Sequence, residues 1–297
     1  MEIEILGIPF NGLGSAPDIE NPAEGLRQAK LVSLLESKGH SVTDLGDLSG
    51  FQFQEVRDPK TGIKDFDLWI DLSEAISKKL GGMVDREVFP LMLGGDCSML
   101  VGILLNFARR ETDLGLVFLD GHADFHTTET SISGDPADME LAILTGRGPE
   151  RITCLAGKAP LLQEENVVVY GIRAWDQIAE SNIQVYSRKR MAESGIEAAV
   201  AEGIENPALK DLPLWLHFDV DVIDPEFMPV MFPEPGGLSF EETREFLSLV
   251  WESGRVIGMS IACFHPRLDA NGSAGAQLVN LISKVISEYT RISGDNL

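Results

Sequence analysis

The sequence predicts a three-layer α/β/α fold built on a central, mainly parallel sheet. Two observations carry that reading. Short apolar runs alternate with longer amphipathic ones over the whole chain, which is the pattern of strand–helix–strand units. The short runs are also nearly continuous in apolar residues rather than alternating, as strands covered on both faces require.

In chain order, residues 3–9 read as the first strand and 23–37 as a helix, followed by a long loop over 47–67. Helical spacing returns at 68–80, a strand at 89–93, a helix at 98–108 and a strand at 115–120. A second long loop covers 125–136. Beyond it come a strand at 167–172, a helix at 189–201 and a strand at 214–222. A helix at 239–253, a strand at 256–262 and a helix at 275–289 complete the series. Ser239 and Glu242 have the spacing of a capping box, in which side chain and backbone satisfy each other's hydrogen bonds at a helix start. No repeat, low-complexity tract or linker interrupts the 297 residues, so 1–297 reads as one domain. In such a fold, loops at the carboxyl ends of strands build the site.

A formal net charge of −23 excludes nucleic acid and anionic membrane surfaces as partners and suits a cationic substrate or divalent metals. Most of the 47 acidic residues read simply as a solubilising surface. The N-terminus lacks the pattern of a signal peptide, and no run nears the length of a membrane span. Cys97, Cys154 and Cys263 are too few and scattered for a disulfide framework, so the expected compartment is the reducing cytosol.

The chemistry concentrates at two strand ends. By the period-two alternation of strands, Asp120, His122, Asp124 and, one step further, His126 share a face after Leu114–Leu119, while His217, Asp219 and Asp221 share one after Leu214–Leu216. A lone aspartate after a strand is usually a turn or cap residue, but a cluster of four buried like charges costs several kcal/mol each unless cations neutralise it. Mixed carboxylate and imidazole donors suit Mn, Zn or similar divalent ions. At a third strand end, Gly94-Gly95-Asp96-Cys97-Ser98, glycines permit a tight turn. Taken alone, Asp96 or Ser98 there reads as a helix cap and Cys97 as a small buried hydrophobe.

Together the three segments resemble the ureohydrolase family of arginases, agmatinases and formimidoylglutamases, whose pattern is Gly-Gly-Asp-His-Ser, Asp-Ala-His-x-Asp and Asp-x-Asp-x-x-Asp-Pro. Here they stand as Gly94 to Ser98, Asp120-Gly121-His122-Ala123-Asp124, and Asp219-Val220-Asp221-Val222-Ile223-Asp224-Pro225, in the same order along nearly the whole chain. The resemblance implies an arginase/deacetylase-like fold and a hydrolase that cleaves a C–N bond of a small cationic guanidino or amidine compound. It implies two Mn2+ ions, bridged by Asp120 and Asp219. One is completed by His122 and Asp221, the other by Asp124 and Cys97, and a hydroxide held between them attacks the planar carbon. Asp124 then carries the proton to the leaving nitrogen. Asp176, after Arg173, matches the carboxylate that receives the substrate amino group, and Ser133 falls where the far end of the substrate is contacted. Relatives form trimers or hexamers, so a homo-oligomer is expected.

Three positions depart from the pattern. Cys97 replaces a histidine ligand, and a thiolate favours Zn2+ over Mn2+, so that site is expected to be weaker or occupied by another metal. Ala137 stands where arginases keep a proton-shuttling histidine. Cys263 stands where a glutamate often grips the guanidinium, which argues against ordinary arginine as substrate. Cys97 with the following Asp-Gly-His-x-Asp-Phe and Thr127–Thr130 resembles the branch of Nω-hydroxyarginine amidinohydrolases of D-cycloserine biosynthesis, although that branch keeps a glutamate near the Cys263 position. His126 reads as a substrate contact, a substitute for the missing shuttle or an ordinary loop histidine; His265 is equally ambiguous. His217 reads as a group orienting Asp219 or a ligated water. The alternatives are, from another class, a degenerate member that binds metal or ligand without turnover and, as a third possibility, a formimidoyl or deacetylase-like amide hydrolase.

Overall fold

Eight segments, most of them apolar, condense into one sheet in the computed structural model, which describes residues 1–10, 21–173 and 177–294. The strands are β1 (Glu2–Ile8), β2 (Ser41–Asp47), β3 (Phe89–Gly94), β4 (Gly115–Leu119), β5 (Val167–Tyr170), β6 (Gln184–Tyr186), β7 (Leu214–Asp219) and β8 (Val256–Ala262). Their order is β2-β1-β3-β8-β7-β4-β5-β6, and every pairing is parallel.

The helices are α1 (Pro22–Gln28), α2 (Leu31–Ser37), α3 (Phe66–Asp85), α4 (Leu100–Arg109), α5 (Glu140–Leu144), α6 (Glu150–Thr153), α7 (Arg188–Ser194), α8 (Ile196–Ile204), α9 (Phe240–Glu252) and α10 (Ser273–Gly294). Alternation along the strands sends Val117 and Leu119 of β4 into one core with Leu216 and Phe218 of β7, under α1, α2 and α7 to α10. Leu116, Phe118 and Trp215 point the other way, into a core under α3 to α6. The sheet is thus covered on both faces, which is why its central strands read as unbroken apolar runs.

The differences from the sequence reading have local causes. The helix expected over 23–37 is two helices, because Lys30 takes a left-handed φ of 73° between them. The helix expected over 189–201 breaks likewise at Gly195, φ 84°. The strands β2 and β6 lie at the two sheet edges and were not expected as strands. The Ser239 capping box forms in full, each partner accepting from the other's backbone N–H. The third aspartate of the Asp219–Asp224 segment is structural, accepting from the N–H groups of Glu226, Gly236 and Gly237 to fold the loop between them.

The connection after β3 runs to β4 across a gap that β8 and β7 later fill. In a parallel sheet, such a reversal of winding opens a crevice at the carboxyl ends. The register pairs Phe118 with His217, His217 with Ser260, and Leu93 with Ile261, so four neighbouring strands β3, β8, β7 and β4 end at one level.

Candidate metal centre

Each of those four ends supplies chemistry to a cleft of about 330 Å³ lined by Cys97, His122, Asp124, Asp219, Asp221 and Cys263, among others. Simple alternation does not place them. The strands stop at Leu119 and Asp219, and turns do the rest. Asp120 Oδ1 accepts from His122 N–H at 2.7 Å, and Asp219 Oδ1 accepts from Asp221 N–H at 2.7 Å. Asp124 reaches its place through a left-handed φ of 46°. That conformation is costly for a residue with a side chain and persists where the surroundings enforce it.

Asp221 Oδ2 lies 2.9 Å from His122 Nδ1, and its Oδ1 accepts from Gly121 N–H at 3.1 Å. Arg173 braces this corner from behind, donating through Nη2 to the Asp221 carbonyl at 3.0 Å and through Nη1 to that of Val222 at 3.3 Å. Gly121 is what admits the guanidinium: a Cβ there would run into Arg173 and lie 2.8 Å from Asp221 Oδ1. Gly121→Ala is therefore expected to displace Arg173 and weaken metal binding by about 10- to 100-fold, the usual effect of losing a brace behind a ligand. A metal titration of the variant reads this directly, and wild-type affinity would remove Arg173 from that role.

Opposite that corner, the Cys97 sulfur lies 2.8 Å from Asp219 Oδ2, 3.7 Å from Asp120 Oδ2 and 3.2 Å from His217 Nε2. His217 stacks on Phe118, and its Nδ1 meets Ser260 Oγ at 2.8 Å, an oxygen that also accepts from Trp215 Nε1–H. Assigned from that network, the Ser260 hydroxyl donates to Nδ1, and the imidazole proton sits on Nε2 facing Cys97. His217 thus addresses the Cys97 sulfur rather than Asp219. Asp96 takes the capping role, accepting from Ser98 N–H at 3.0 Å and from the Ser98 hydroxyl.

The electrostatics are those of a crowded anion site. Burial and the charges of Asp124, Asp219 and Asp221 hold the Asp120 carboxyl well above the ordinary carboxylate range. Burial, then Asp221, pushes Asp219 up to about 7. Burial, then the Glu140 charge, holds the Asp124 carboxyl well above the ordinary carboxylate range. Burial acts to raise Asp221 too, but the His122 bond and charge, with Arg173, outweigh it and hold that carboxyl low. Burial works against a charged His122, yet the Asp221 bond and nearby carboxylates carry it to about 8. Burial lowers His217 to about 3, so it is neutral.

The sequence reading missed Glu140. Its carboxylate is wholly buried at the start of α5 beside the Asp124 carboxyl, and it lies within 4.8 Å of ligand atoms of both Cys97 and Asp124. Unpaired buried carboxylates are expensive, and no lysine or arginine lines the cleft among the described residues. Asp120, His122 and Asp221 likewise bring three ligand atoms within 4.8 Å of one another. A donor set of carboxylates, imidazole and thiol with surplus negative charge fits divalent cations at both ends of the cleft.

Of the other residues singled out in the sequence, Ser133 lines the cleft and donates to Asp138, with Ser131 beside it. His126 also lines it, its Nδ1 3.3 Å from Thr130 Oγ1. Ala137 sits on the same wall. Asp176 lies outside the described residues. The loop carrying Ser133 is tied to the earlier long loop: Arg57 donates to the carbonyls of Ile132 and Ser133, Lys64 N–H to that of Gly134 at 2.8 Å, and Lys64 Nζ pairs with Asp135 at 2.7 Å.

Comparison with known proteins gives a consistent result. A family model described as the arginase family matches residues 1–288. The chain is 29% identical to the arginase of Bacillus subtilis, over 96% of this chain and 98% of that protein. It is 30% identical to the arginase of Agrobacterium fabrum, over 95% and 90% of the two chains. The solved structure of Bacillus caldovelox arginase superposes with a TM-score of 0.87 at 27% identity, covering 95% of this chain and 97% of its own.

Proposed function

From the premise that the chain belongs to the arginase family, hydrolases acting on amidino C–N bonds, we propose that it is a metal-dependent amidinohydrolase of a small cationic guanidino or amidine compound. The observation that carries the reading is the convergence of Asp120, Asp124, Asp219, Asp221 and His122 in one cleft without a compensating lysine or arginine in its lining. In this reading Asp120 and Asp219, on adjacent strands, would serve both ions, His122 and Asp221 would hold one, and Asp124 with Cys97 the other. Bound metal lowers the pKa of coordinated water and so supplies a nucleophile at neutral pH.

The protein's own groups do the rest. Asp124, ionised when a cation lies beside it, would receive the proton at its carboxylate and deliver it to the leaving nitrogen. Ser133 and Asp138, which line the cleft, would offer a hydroxyl and a carboxylate to the polar end of the substrate, with His126 beside them in the lining and Asp176 the candidate for an amino group. Cys263 in place of a clamping glutamate, and Ala137 in place of a shuttle, support a substrate other than arginine. An Nω-hydroxylated guanidine is one such compound. Mn2+ suits the His122 end. The free cysteines support the cytosol, and family membership supports a trimer or hexamer.

Elemental analysis and a substrate panel test this together. The expected result is bound divalent metal after incubation with Mn2+, with release of urea, hydroxyurea or formamide from one member of a panel of guanidino and formimino compounds. Failure to bind metal in excess Mn2+ would overturn the reading. Metal uptake without release from any panel member would favour the ligand-binding, non-catalytic alternative.

A further inference from the structure

Cys97 belongs to three of the four groupings of metal-capable side chains among the described residues, and one of them joins it to Cys263 and Asp219. The second cysteine is placed there by the sheet. Cys263 follows the end of β8 and donates its N–H to Gly95 O at 3.0 Å, which ties it to the turn leading to Cys97. The two sulfurs converge on the Asp219 carboxylate, whose Oδ2 lies 2.8 Å from the Cys97 sulfur. Cys263 holds a left-handed φ of 63°, a conformation a cysteine adopts only at a cost.

Cys263 also opens onto the cleft, whereas Cys97 is buried. All three ligand atoms lie within 4.8 Å of one another. Two sulfurs bound to one zinc at about 2.3 Å in a tetrahedral arrangement lie about 3.7 Å apart, inside that limit. A second sulfur changes the chemistry of the position: one thiolate among oxygens is a compromise ligand, while a thiolate pair is a soft site. The His217 Nε2–H at 3.2 Å would steady the Cys97 thiolate, as an outer hydrogen bond to a ligand does.

We propose that Cys97 and Cys263 together bind one soft divalent cation, zinc in chemical class, with Asp219 as the shared carboxylate. The two metal positions of the cleft then differ: an oxygen- and imidazole-lined one at His122 for a manganese-like ion, and a sulfur-lined one for zinc. Binding turns two thiols into thiolates, and their two protons leave to solvent. The inference rests on the reading of the cleft as a metal centre and adds Cys263 to it as a ligand.

The test is a cadmium titration of the full-length, metal-stripped protein kept reduced, followed by ultraviolet thiolate-to-metal absorption and total bound metal. The expected result is a sulfur band that falls about twofold per bound ion in Cys263→Ser and disappears in the Cys97→Ser, Cys263→Ser double variant. If the serine variant does not fold, Cys263→Gly gives the same reading, since glycine takes a positive φ without strain. A band of equal strength in wild type and the Cys263 variants overturns the proposal, as does metal bound with no sulfur band. In either case bound metal leaves the metallohydrolase reading standing, whereas no metal uptake overturns both.

Discussion

Asp219→Asn is expected to remove activity by about 10³-fold or more, because metal assistance is worth several kcal/mol, and at the same time to stabilise the metal-free protein. The two effects share one cause. The asparagine keeps the Oδ1 acceptor for Asp221 N–H, so the turn after β7 survives. What disappears is a buried negative charge in a cluster of carboxylates, on a carboxyl raised to about 7 by burial and the Asp221 charge. Without metal that charge is a penalty; with metal it is the anion that joins two sites. Thermal unfolding should show the variant melting above wild type when both are stripped above pH 7, and below it when both are loaded with Mn2+. A variant that melts lower in both states would mean that Asp219 is held by the fold for packing, not for cations.

The second large effect is a reversal in how stability depends on pH. Asp219 binds its proton more tightly when folded, since its folded pKa is about 7 against an ordinary value of 3.8. Stability from that group is therefore present below about pH 4 and is lost as pH rises toward 7. His122, raised from 6.5 to about 8, acts in the same direction: its contribution is full below 6.5 and lost as pH passes 8. Asp221 has the opposite sign, but its lowered carboxyl acts only below the ordinary carboxylate range. Metal-free protein should thus lose on the order of a few kcal/mol between pH 4 and 8, at about 1.4 kcal/mol per pKa unit. Metal requires the same carboxylates ionised and His122 neutral, so the loaded protein should gain stability with pH. Denaturant midpoints across that range, with and without Mn2+, read both slopes; parallel slopes would mean that these groups do not bind the ion.

The central strands were legible because burial on both faces leaves few polar positions in them, His217, Asp219 and Ser260 being the ones tied to the site. β2 and β6 were not, because each has a neighbour on one side only: β2 is mostly exposed and β6 spans three residues. Edge strands lack the double cover that writes a continuous apolar run. Of the two helix breaks, Gly195 left a signal in the sequence and Lys30 did not, since nothing about a lysine announces a left-handed backbone. The motif residues of the cleft were legible from their order and spacing, but the reason given by period two was incomplete, because capping turns and a positive φ at Asp124 position them past the strands. Glu140 was invisible. In Met139-Glu140-Leu141 it has the look of a helix-start glutamate facing water, and only the fold turns it inward beside Cys97. Cys263 was legible as a departure and not as a partner, because its nearness to Cys97 comes from the β3–β8 pairing.

The clasp of Arg57 and Lys64 on the Ser133 loop makes the substrate-facing wall a joint product of two chain segments far apart in sequence. Residues that choose the substrate are therefore not modular here. Grafting the 125–136 segment of a relative into this chain would import its side chains and carbonyls but not the matching donors of the 57–64 segment that hold them at the right height. An exchange of specificity between family members would have to move both segments as a unit, and natural changes in substrate preference should show paired replacements in the two.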